Sequence, residues 1–183
     1  IVPATTKYHT SDATIRRLLK GFTEILAPLG LVINKSTWKI EGNEAYLRHF
    51  AYTIFMDLIR DTWPFDYIQE TEVAQTVQKM MAFFNVEVAE TVTRRVKYMV
   101  AISKVRSAQG AEYRPSAEQE TYLEGNKHYQ AFIEEMTATT LFLNKNDLTF
   151  VYFFLLANDQ FYQNEATAQA ILAHFDESEA PVY

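Results

Sequence analysis

Eight polar residues near the start of the chain have the types that grip nucleic acid: Ser11, Thr14, Arg16, Arg17, Lys20, Lys35, Ser36 and Lys39. Arginine can hold guanine or a phosphate through two parallel N–H bonds. Lysine brings a point charge to the phosphate backbone, and hydroxyls donate to phosphate oxygens. The charge split agrees. Residues 1–40 carry Lys7, Arg16, Arg17, Lys20, Lys35 and Lys39 against Asp12 and Glu24, a net +4, so with −6 overall the remaining residues carry −10. A basic head on an acidic body suits a nucleic-acid reader joined to a regulatory domain. Spacing offers a second account. Asp12, Arg16, Lys20 and Glu24 recur at every fourth residue and can form a solvated ladder of ion pairs, each worth about 0.2–0.5 kcal/mol and needing no partner. Arg17 alone lies off that ladder. Spacing by itself favours the ladder; two lysines on a hairpin directly after the helix favour nucleic acid.

The elements that must position these groups are legible. Ser11 is a good N-cap, and Asp12 in the first turn complements the helix dipole. Ile15, Leu18, Leu19, Phe22, Ile25 and Leu26 follow helical spacing as one apolar stripe, which Pro28 and Gly30 end. Leu31–Asn34 and Thr37–Ile40 read as two short strands around a turn at Lys35-Ser36. A basic helix followed by such a ribbon is the back half of a winged helix-turn-helix. From Asn43 onward the pattern is helical. Asn43 can cap a helix with Leu47, Phe50, Ala51, Ile54, Phe55 and Leu58 on its buried face, and Pro64 breaks it. Further helices are expected at about 70–84, 88–107, 126–139, 146–160 and 164–175, with Gly110 to Gln119 as the main internal loop. The aromatic run from Phe150 could line a ligand pocket. A helix apolar on all sides is more simply a buried central one.

Other chemistries find little support. Cysteine is absent, which excludes a disulfide framework and thiolate chemistry and suits a reducing cytoplasm. No nucleophile motif, phosphate-cradling glycine loop or zinc spacing occurs, so neither an enzyme nor a metal or cofactor site is expected. Glu134 and Glu135 point to different sides of a helix, and Glu118 and Glu120 fall in a solvated stretch. The longest apolar run, Phe150 to Ala157, is far below the ~20 residues of a spanning helix, and the first ten residues lack signal-peptide character.

Several stretches together resemble the Mga family of transcription regulators, which carry N-terminal helix-turn-helix modules, phosphotransferase-system regulation domains (PRDs) and an enzyme IIB-like end. SDATIRRLLKGFTEILAPLGLVI resembles the end of their winged helix. WKIEGNEAYLRHFAYTIFMDLI is similar to their wing strand and first PRD helix, with WPF following, and YMVAISKVRSAQG and NDLTFVYFFLLANDQF resemble later PRD helices. The resemblance implies a mainly α chain: a truncated winged helix (recognition helix plus β-hairpin wing) over residues 1–42, followed by a helical-bundle PRD-like domain over 43–183. On that comparison the chain lacks helices against which Ile15, Leu18 and Phe22 should pack, and it reads as a fragment.

The resemblance further implies a cytoplasmic regulator that senses phosphotransferase proteins such as HPr or enzyme II, as a homodimer and without membrane contact. Histidines would accept the phosphoryl group, which requires an exposed, neutral ring nitrogen. By the resemblance to antiterminator PRDs, Lys97 stands where one acceptor is expected and the aromatic pair Phe153 and Phe154 replaces the other, which leaves the domain either unphosphorylated or modified elsewhere. His128, near the start of a helix, is then the main exposed candidate. His49 is the second, with half-buried packing the blander account. His9 and His174 have no supporting neighbours. The competing expectation is a helical protein-interaction or ligand-binding module that touches no DNA.

Overall fold

A computed structural model describes residues 11–58, 62–139, 142–158, 161 and 168–169. Among them are seven α-helices and one two-stranded sheet. The chain divides into two compact units that meet between Leu47 and Arg48, five residues beyond Gly42 and inside a helix.

In the first unit, α1 (Asp12–Leu26) begins at Ser11, whose extended backbone and Oγ, accepting from Thr14 N at 3.1 Å, satisfy one free helix-end donor. Pro28 lies in a 3-10 turn (Ala27–Leu29), and Gly30 at φ 64° reverses the chain. That reversal buries Leu26 and Leu31 together, with Leu31 N donating to Leu26 O. The ribbon then forms, shorter and shifted from the expected strands. β1 (Val32–Ile33) pairs antiparallel with β2 (Ile40–Glu41), Val32 opposite Glu41 and Ile33 opposite Ile40. The loop is wider than a turn at Lys35-Ser36 because Asn34 organises it. Its Oδ1 accepts from Ser36 N and Thr37 N, and its carbonyl accepts from Trp38 N. Asx side chains compete for backbone donors in this way and open tight turns. Trp38 consequently sits at φ 58°, a left-handed conformation that bulky residues rarely adopt. Asn43 Oδ1 accepts from Ala45 N and Tyr46 N at the start of α2 (Glu44–Leu58).

The second unit is helical: the rest of α2, then α3 (Glu70–Phe84), α4 (Glu90–Ala108), α5 (Ala117–Leu123), α6 (Lys127–Thr139) and α7 (Lys145–Leu156). α4 packs on α3 and α7, and α6 on α7. Val73, Val77, Met80 and Phe84 of α3 meet Val96, Val100 and Ile102 of α4, Phe132 and Met136 of α6, and Val151, Tyr152 and Leu155 of α7. Fully burying such side chains stabilises by about 1.5–3 kcal/mol each before chain entropy is charged against it. α7 is the central helix that its all-round apolarity predicts, with Leu148, Phe150, Val151, Tyr152, Leu155 and Leu156 buried. Trp63 and Phe65 after the α2 break pack with Phe55 and Tyr98.

Two expectations need correction. The internal loop ends at Ser116, where a Ser116–Gln119 capping box starts α5, a seven-residue helix too short to show an apolar period. The helix expected over 146–160 stops at Leu156. The one expected over 164–175 lies almost wholly outside the described residues, as do His9 and His174.

Candidate nucleic-acid interface

Along α1, residues four apart stack on one face, so Arg16, Lys20 and Glu24 share a line with Thr23 beside it. The ribbon lies against that line. Between them runs a cleft of about 770 Å³ lined by Arg16, Lys20, Thr23, Glu24, Val32, Ile33, Lys35 and Trp38. Three cations therefore converge from two elements over an apolar floor, and the Trp38 indole is half exposed beside them. The ladder of ion pairs is present at one rung. Arg16 Nε donates to Asp12 Oδ2 at 2.9 Å, with both side chains more than half exposed, so the contact contributes little and a phosphate can compete for the guanidinium. Lys20 and Glu24 make no ion pair among the described residues.

The other candidates are placed differently. Arg17 and Lys39 are exposed but do not line the cleft. Ser36 is exposed on the hairpin loop. Ser11 and Thr14 spend their hydroxyls on each other and on the helix cap, at 3.0 Å and 3.1 Å. The apolar stripe of α1 is only partly covered: Leu26 is fully buried, while Leu18 and Ile25 are 64% and 60% exposed.

The two described histidines exchange the environments expected for them. His128, on α6, is half-buried against Phe83, Phe84 and Tyr152, with Nδ1 2.9 Å from the Tyr152 hydroxyl. Burial depresses its pKa, so the ring is held neutral. It was expected exposed; helix position does not reveal that α3 and α7 lie over this turn. His49 was expected half-buried and is exposed, its ring edge-on to Phe150 and tilted against Phe154. Lys97 is mostly covered and pairs with Glu70 at 2.8 Å and, at 3.8 Å, with Glu90. Phe153 and Phe154 are half-buried on α7.

Sequence reading missed the strongest electrostatic feature. Arg48 on α2 and Asp147 on α7 form an ion pair at 2.9 Å with side chains 0% and 2% exposed, and the guanidinium lies 5.1 Å from the Phe150 ring centroid. Burial raises the Asp147 pKa while Arg48 pulls it back. An Arg within an apolar helical stripe was the available signal.

Residues 1–55 match the Mga helix-turn-helix domain family. The match spans α1, the ribbon and most of α2, and supports a helix-turn-helix regulator of the Mga type. No curated protein matches the chain. Among the described residues, no helix is long and apolar enough to cross a membrane, and no group of three or more His, Asp or Glu side chains could hold a metal ion.

Proposed function

We propose that the chain is part of a DNA-binding transcription regulator in which α1 is the recognition helix and the β1–β2 ribbon the wing. The observation carrying this reading is the meeting of Arg16, Lys20 and Lys35 in one cleft of the segment that matches the Mga helix-turn-helix domain. Residues 1–42 act as the winged-helix part and residues 43–183 as a PRD-like bundle. Phosphotransferase signalling, by phosphate or by a bound partner protein, alters the packing of the bundle and with it the geometry of a homodimer. The spacing of two reading heads on half-sites then changes. His49, being exposed, is the better placed acceptor in this scheme; His128 would have to leave its aromatic surroundings first.

Two experiments test the reading. Fluorescence anisotropy with a mixed-sequence duplex should give an affinity that falls steeply with salt, by roughly 0.9 in log K per log salt for each phosphate neutralised. Lys20→Ala and Lys35→Ala should each reduce that slope by about 1. Absent or salt-insensitive binding would favour an interaction module that touches no DNA. Incubation with enzyme I, HPr and phosphoenolpyruvate should leave an acid-labile label that His49→Ala removes; no label on any histidine ends the phosphotransfer part.

A further inference from the structure

A pocket of about 350 Å³ in the second unit is lined by His49 and Tyr52 of α2, Arg95 of α4, Phe154 of α7, and Ala157 and Asn158 just beyond it. That size is in the range of small-ligand sites. Arg95 is exposed and has no ion-pair or hydrogen-bond partner among the described residues, although residues 41–183 carry a large excess of acids. Its charge is felt at the Tyr52 hydroxyl, where burial raises the pKa and Arg95 lowers it again. Asp57 opposes Arg95 there but forms no ion pair with it. His49 faces the same space from one turn before Tyr52, its ring backed by Phe154. One wall is therefore aromatic, with Tyr52 and Phe154 in edge contact at 5.5 Å; the polar side chains are His49 and Tyr52 from α2, Arg95 from α4 and the amide of Asn158 beyond α7.

We propose that this pocket binds the phosphate monoester of a small organic molecule, with Arg95 gripping the phosphoryl oxygens, Tyr52 and His49 donating to them, and the organic part lying on Phe154. An Arg fork fits either carboxylate or phosphate. Donors arriving from separate helices suit the three terminal oxygens of a tetrahedral group better than the two of a planar one. The site needs neither DNA binding nor a phosphorylated histidine; it shares His49 with the reading above, and titration of the unphosphorylated chain tests it separately.

The test is titration of the ¹⁵N-labelled chain with phenyl phosphate, inorganic phosphate and benzoate. Phenyl phosphate should give saturable amide shifts centred on residues 49–52, 95 and 154–158, and should bind more tightly than either other probe. Arg95→Gln, at an exposed position, should weaken it roughly ten- to hundred-fold while the rest of the spectrum is unchanged. Phe154→Leu should bring phenyl phosphate close to inorganic phosphate. Overturning results are an absence of saturable shifts, binding that survives Arg95→Gln, or benzoate binding as tightly as phenyl phosphate.

Discussion

Removing either partner of the Arg48–Asp147 pair should cost stability in ways that pH tells apart. Both charges are out of water and 2.9 Å apart. Breaking such a pair costs about 3–5 kcal/mol, because the survivor stays buried without its counter-charge. Asp147→Asn leaves the Arg48 guanidinium, which cannot shed its proton, so the loss should hold between pH 5 and pH 7. It also removes an acid from the first turn of α7, adding about 0.3–1 kcal/mol. Arg48→Met leaves a carboxyl whose pKa burial already raises and whose main opposing influence was Arg48 itself. With Arg48 gone, the folded carboxyl titrates further above the unfolded one. Between those two points the folded chain holds a proton that the unfolded chain has released, so stability falls as pH rises through that window. Arg48→Met should therefore lose about 3–5 kcal/mol at pH 7 and recover at most about 1.4 kcal/mol per pH unit on acidification. The double replacement Arg48→Met with Asp147→Leu should lie near wild type or above it. Urea unfolding followed through Trp63, which lies in the same unit, reads all three. Parallel pH profiles for the two single variants, or losses below about 1 kcal/mol, would refute the assignment of a buried charged pair.

Two further predictions follow from local geometry. A Cβ on Gly42, at φ 149°, would stand 2.7 Å from Leu31 Cδ2 and 2.8 Å from Gly30 O. Gly42→Ala should therefore destabilise the first unit by more than about 2 kcal/mol, read by urea unfolding through Trp38 emission; a loss under about 0.5 kcal/mol would mean that the backbone relaxes freely. The depressed pKa of His128 means that the unfolded state takes up a proton first as pH falls. The second unit should lose stability below about pH 6.5, and His128→Phe should flatten that part of the pH profile monitored at Trp63. An unchanged slope in the variant counts against the neutral, half-buried ring.

What the sequence determined by itself were the features that local rules control. Ser11 and Asp12 set the start of α1, Pro28 and Gly30 its end, and the all-round apolarity of Phe150 to Leu156 made α7 central. Each depends on neighbours a few residues away, so spacing and residue type suffice. Only tertiary structure decided which cations share a cleft, since the ribbon's approach to α1 selects Arg16 and Lys20 and leaves Arg17 outside. The same holds for the histidines. His49 and His128 both lie on amphipathic helices, and their burial depends on whether another helix crosses that turn, a contact between residues far apart in the chain. Asn34 marks the boundary between the two kinds of information: its side chain is local, yet the loop it widens decides where Trp38 and Lys35 stand.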